Sequence, residues 1–157
     1  MTATIHATYP ETNLNDSKLS IVMTESAVIS HGNVKVTISE MLDNILYEIG
    51  SIGGIQASVL VSNDGLMMAS NNTSSGVDDD IIGALVAMLI RSAAHVSKEL
   101  LKEGLDYLLL HTDHGEIIIM KAGSNAIFTL LTDSSENIGL IIIEMKKACK
   151  KVENILE

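Results

Sequence analysis

Two histidines and an aspartate stand close together at His111, Asp113 and His114, residue types that ligate zinc. Their arrangement argues against a metal centre. The His111/His114 pair falls at a tight turn, the group lacks a fourth ligand, and no outer-shell pattern accompanies it. A solvated turn explains these residues better. Asp78, Asp79 and Asp80 are the right chemistry for a hard cation. Adjacent carboxylates fan around a helix start instead of converging on one ion, so stabilisation of the positive helix end is the better reading. No Gly-x4-Gly-Lys-Ser/Thr string is present to cradle phosphates. No Gly-x-Ser-x-Gly elbow is present either, and the single cysteine, Cys149, has no placed base to activate it. Cys149 lies near the apolar stripe of the last predicted helix and reads as a core thiol. Arg91 is the only arginine. Beside an apolar surface it suits pairing across an interface; a second role, a finger offered in trans to a partner's nucleotide, rests only on its uniqueness and position. Lys146, Lys147, Lys150 and Lys151 would suit an acidic partner or a membrane, but a solvated face beneath a favourable helix end accounts for them. The sequence therefore offers no catalytic residue, no cofactor site and no metal site.

Composition narrows the class further. The 157 residues suffice for one domain plus a tail, large enough to bury a core without disulfides or a structural metal. A lone cysteine excludes a disulfide framework and fits a reducing cytoplasm. Trp is absent and Phe occurs once, so the core is built from aliphatic residues and stacking platforms for bases or sugars are not expected. A net charge of -10 repels nucleic acid and anionic lipid. The longest apolar runs are about half of the roughly 20 residues needed to cross a bilayer. The first residues lack the basic segment and apolar core of a signal peptide. A cytoplasmic protein, with no membrane insertion and no nucleic-acid partner, is the expectation.

Residues 1–36, rich in Thr, Ser and Asn and holding the only proline (Pro10), read as a flexible arm. Short strands over Leu19–Met23 and Val34–Ile38, with a turn at His31-Gly32-Asn33, would add a hairpin. The organised domain spans 37–157. Thr37 and Glu40 have capping-box spacing, with Val36 and Met41 as the staple pair. A helix follows to about Ile49, and Gly50, Gly53 and Gly54 stop it. Ile55–Val61 and Leu66–Ser70 form a hairpin about Asn63-Asp64-Gly65. A long helix then runs from the three aspartates to Gly104. Strands follow at Tyr107–Thr112, Glu116–Lys121 and Ala126–Thr132. Their unbroken apolar runs imply a sheet covered on both faces. Asp133 and Glu136 have the spacing of a second capping box, ahead of a closing helix with Ile138, Ile141, Met145, Ala148, Val152 and Ile155 on one stripe. The simplest assembly is an α+β sandwich. In it a five-stranded antiparallel sheet carries the long middle helix on one face and the first and last helices on the other.

The middle helix is the exceptional element. Ten residues from Ile81 to Ile90 carry no charge, and a polar face with His95, Lys98 and Lys102 appears only after Arg91. A helix apolar all round is buried on more than one side. One sheet covers one side, so a second protein surface must cover the other, and another copy of the chain is the natural source. The expected phase puts Ile82, Leu85, Val86, Leu89, Ala93 and Val96 towards the sheet. Ala84, Ala87, Met88 and Arg91 then face the partner.

The segments Gly54–Ser70 (GIQASVLVSNDGLMMAS), Asp78–Ala94 (DDDIIGALVAMLIRSAA) and Gly104–Leu131 resemble the Roadblock family, the dynein-light-chain-like modules related in architecture to longin domains. The likeness covers about residues 37–157 and is most specific in the Asn-Asp-Gly-Leu hairpin and the second long hairpin. It implies a homodimer or a heterodimer with a paralogue. The middle helices pack together, and the strand after them continues the sheet into the second subunit. That adds His95, Leu108 and Leu110 to Ala84, Ala87, Met88 and Arg91 as expected interface residues. It also implies no active site. The function expected from the resemblance is a non-catalytic scaffold that binds and regulates a small Ras-like GTPase. An adaptor in a motility or cytoskeletal complex, without nucleotide dependence, is the alternative. A small-ligand sensor is a third reading, disfavoured by the dense aliphatic core.

Overall fold

Two short hairpins begin the chain. β1 (Ala3–Thr8) pairs antiparallel with β2 (Ser17–Met23), and β3 (Val28–His31) with β4 (Val34–Thr37). The computed structural model describes residues 3–8, 17–23, 28–31, 34–72, 78–133 and 137–157. The two strands read from the sequence in this region are present, but each pairs with a strand that the weak pattern did not reveal. Gly32 and Asn33 of the expected turn lie outside the described residues. The chain divides into two compact units, Met1–Met41 and Leu42–Glu157.

The first helix, α1 (Ile38–Gly50), begins with the expected reciprocal cap. The Thr37 N–H donates to Glu40 Oε2 at 2.8 Å, and the Glu40 N–H donates to Thr37 Oγ1 at 3.2 Å. Leu42, Ile45, Leu46 and Ile49 recur at helical spacing and are buried. β5 (Ile55–Ser62) and β6 (Met67–Asn72) form the expected hairpin. Its turn closes with the Gly65 N–H donating to the Ser62 carbonyl at 2.9 Å. Gly65 has φ +86°, a backbone conformation that a side chain would strain.

The long helix α2 (Asp79–Leu101) is capped by Asp78, whose carboxylate accepts from the Asp80 N–H at 3.0 Å. It stops at Lys102, which is left-handed at φ 60°, two positions before the expected Gly104. β7 (Tyr107–Thr112), β8 (Gly115–Ala122) and β9 (Ala126–Thr132) follow, then α3 (Ile138–Leu156). Asn137 stands at the N-cap of α3, so Asp133 does not start that helix; Glu136 lies outside the described residues.

Five strands form one antiparallel sheet in the order β6-β5-β9-β8-β7. Register makes Val59, Thr129 and Ile119 neighbours in one row, and Leu60, Phe128 and Met120 neighbours in the next. The first row faces α2, where Val59, Val61, Ile119 and Ile127 pack with Val86, Ala87 and Ile90. The second row faces the other two helices. There the Ser58 hydroxyl donates to the Leu46 carbonyl of α1 at 3.4 Å, and α3 packs on β8 and β9. Covering both faces explains why Ile118, Ile119 and Met120 are all buried despite alternating sides.

Candidate interaction site

The phase of α2 is set by a backbone contact. A Cβ on Gly83 would run into the Gly65 carbonyl oxygen, and a Cβ on Gly65 would lie 2.9 Å from the Gly83 carbonyl oxygen. Only two glycines let the helix sit this close to the β5–β6 turn. With Gly83 inward, the 100° step per residue carries Val86, Ala87 and Ile90 inward as well. This corrects the phase expected from the sequence. Ala87 is 4% exposed and packs on the chain's own sheet, whereas Leu85, Leu89 and Val96, expected inside, lie on the open side.

That open side is apolar over most of its length. Met88 is 57% exposed, Val96 53% and Leu85 48%, and Ala84 lies among them. Exposed large apolar side chains grouped on one helix face mark a contact surface. Arg91 and His95 are exposed beside it. The Arg91 guanidinium donates through Nη2 to the Asn63 carbonyl at 2.9 Å, so within one chain it ties α2 to the β5–β6 turn. β7 is an edge strand, and its Leu108 and Leu110 are half-buried. Leu108 pairs with Ile119 and Leu110 with Ile117, which puts both leucines on the α2 side of the sheet. Of the seven expected interface residues, Ala84, Met88, Arg91, His95, Leu108 and Leu110 thus lie on the open helix side or the free edge, and Ala87 does not.

Between the first half of α2 and the sheet runs a groove of about 300 Å³. Ile82, Leu85 and Leu89 form its helix wall; Val59, Ile119 and Leu131 form its floor. Thr129 also lines it, is 6% exposed, and its Oγ1 has no hydrogen-bond partner among the described residues. The sequence reading missed this residue. Its signal was a hydroxyl inside the otherwise apolar run Ala126–Leu131.

Elsewhere the polar groups are used structurally. His111 Nδ1 lies 3.1 Å from Glu116 Oε1 across the β7–β8 hairpin, a pairing that the zinc and turn readings both overlooked. Each lysine of α3 meets a carboxylate: Lys146 with Asp106 and Lys151 with Glu48 at 2.6 Å, Lys147 with Glu144 at 2.7 Å, and Lys150 with Glu153 at 2.6 Å. Such exposed, solvent-screened pairs add little to stability. Burial pushes the Cys149 thiol up to about 12, far from the range of a nucleophilic thiolate. By length and composition α2 would reach across a bilayer. Here its Gly83, Val86, Ala87 and Ile90 side lies on a sheet, and Arg91, His95 and Lys98 are exposed on another side.

An antiparallel sheet between one helix and two, with an apolar helix face exposed beside the edge strand β7, defines an α+β sandwich. Residues 41–132 match the Roadblock/LC7 domain. The chain belongs to that family. A relative from Methanocaldococcus jannaschii, the uncharacterized protein MJ0714, is 33% identical over 116 residues, 74% of this chain and 97% of the relative. Solved structures share the fold at lower identity. The gliding protein mglB of Thermus thermophilus superposes with a TM-score of 0.69 at 18% identity, covering 84% of this chain and 97% of that one. A Roadblock/LC7 domain from Streptomyces avermitilis superposes with a TM-score of 0.67 at 18% identity, covering 73% and 96%.

Proposed function

We propose that this protein is a non-catalytic, dimeric scaffold that binds and regulates a small Ras-like GTPase. The observation that carries the reading is the open apolar face of α2. Leu85, Met88 and Val96 are each about half exposed on an element whose Val86, Ala87 and Ile90 pack on the sheet. A second copy, or a paralogue, seated on that face would shelter these side chains. The free edge of β7 offers unpaired backbone groups that the same partner can extend into a continuous sheet. Membership in the Roadblock/LC7 family supports the scaffold role, and the fold likeness to a gliding protein suits an adaptor in a motility apparatus as the second reading.

Met88→Glu tests the dimer. The side chain points away from the chain's own core, so the variant should keep its circular dichroism spectrum while sedimenting as a monomer. A variant that sediments as a stable dimer refutes this interface. The GTPase link is tested by affinity purification from the native cell, followed by binding of the recovered Ras-like protein loaded with GDP or a GTP analogue. Binding that changes with the nucleotide supports the regulator. Binding indifferent to nucleotide supports the adaptor.

A further inference from the structure

We propose that the groove between α2 and the sheet is a binding site for a small neutral amphiphile, an aliphatic body carrying one hydroxyl or carbonyl oxygen. The inference goes beyond the scaffold reading and shares Leu85 and Leu89 with the open side of α2, so binding and sedimentation are read on the same samples. Three observations support it. The groove measures about 300 Å³, the lower end of the range of small-molecule sites. An apolar cavity of about half that size already takes a benzene-sized guest, so a chain of roughly eight to ten heavy atoms fits here. Apart from Thr129, every residue lining the groove is aliphatic, which matches a hydrocarbon body.

Thr129 supplies the specificity. Its hydroxyl is buried and unpaired among the described residues, although a buried polar group ordinarily finds a partner. Neighbouring positions on the flanking strands, Val59 and Ile119, offer no polar side chain. A hydroxyl both donates and accepts, so it suits an alcohol, a ketone or an ester. No charged residue lines the groove, so a carboxylate or amine head placed at Thr129 would lack a counter-ion and is disfavoured against a neutral one.

The test uses the full chain and three probes: 1-octanol, octanoate and octane. Binding is followed by methyl NMR at Ile119, Val86 and Leu89, with sedimentation of the same samples. Saturable binding of 1-octanol at one per chain is expected, with octanoate at least tenfold weaker. Thr129→Val, close to isosteric, should weaken 1-octanol about tenfold and leave octane unchanged. The same substitution should not lower the melting temperature of the unliganded protein, because it removes an unpaired buried hydroxyl. Ala57→Leu, which fills the groove, should abolish binding of all three; its folding is checked by circular dichroism. Shifts that grow linearly up to the solubility limit, or a Thr129→Val protein that binds 1-octanol as well as the wild type, would overturn the proposal. A dimer that leaves the groove unbound refutes this inference and spares the scaffold reading. A monomer that binds 1-octanol does the reverse.

Discussion

Single residues here do mostly structural work, and two of them make that testable. The Cys149 thiol is buried in α3 and pushed up to about 12 by loss of hydration. Iodoacetamide at pH 8 should therefore leave it unlabelled in the native protein and label it fully in denaturant, as read by intact mass. The sign on stability follows. A thiol held protonated in the fold contributes fully below its ordinary value of 9.0, and that contribution is lost as the pH rises above it. Glu157 behaves in the opposite sense. Its carboxylate accepts from the Ser124 N–H at 2.9 Å and from the Ser124 hydroxyl at 2.7 Å, and the backbone hydrogen bond foremost lowers its pKa. The resulting stabilisation is present above the ordinary 4.5 and is lost as the pH falls through the lowered folded value. Glu157→Gln should flatten the acid side of the Tm-versus-pH curve, lowering Tm slightly at pH 7, where the stabilisation is present, and converging on the wild type at low pH.

At the scale of elements, the junction between α2 and the β5–β6 turn matters most. Gly83→Ala places a methyl group against the Gly65 carbonyl, where backbone faces backbone and neither can rotate away. Forced overpacking of this kind costs about 1–3 kcal/mol, so a clear drop in the urea midpoint is expected. The far end of α2 holds a residue in an unfavourable backbone conformation. Lys102 is the one non-glycine residue with positive φ among the described residues, and its ion pair with Glu99 at 3.8 Å is exposed. Lys102→Gly should relieve left-handed strain of about 1 kcal/mol, partly offset by glycine's unfolded-state entropy. Differential scanning calorimetry should show Tm unchanged or raised by a few degrees. A fall in Tm would mean that the lysine side chain holds the helix end.

At the scale of the whole molecule, one side of α2 and the outer edge of β7 have no neighbour within the described residues of Leu42–Glu157. Both lie where a single partner can engage them together, because Leu108 and Leu110 of the edge strand face the same side as α2. A stable interface needs roughly 800 Å² from each partner, more than one helix face provides alone. The edge strand should therefore contribute. Leu109→Pro removes a backbone donor from that strand and should weaken self-association in sedimentation equilibrium more than Leu109→Ala does. Equal effects would exclude strand pairing from the interface.

Much of this architecture was legible in the chain. The Thr37–Glu40 cap, the Asn63-Asp64-Gly65 turn, and strands Tyr107–Thr112 and Ala126–Thr132 follow from local chemistry: spacing that satisfies helix-end donors, and residues that tolerate a turn. Unbroken apolar runs announced a sheet covered on both faces. The Roadblock/LC7 signature lay in the same stretches. The rotation of α2 was not legible. Periodicity phases a helix only when one side is polar, and ten uncharged residues have no such side. Its phase comes from Gly83 meeting Gly65, residues 18 positions apart that only the folded chain brings together. That contact turned Ala87 inward and Leu85 outward. Thr129 became an unpaired hydroxyl in a groove for the same reason: its neighbours come from two other strands and a helix, and no local pattern names them.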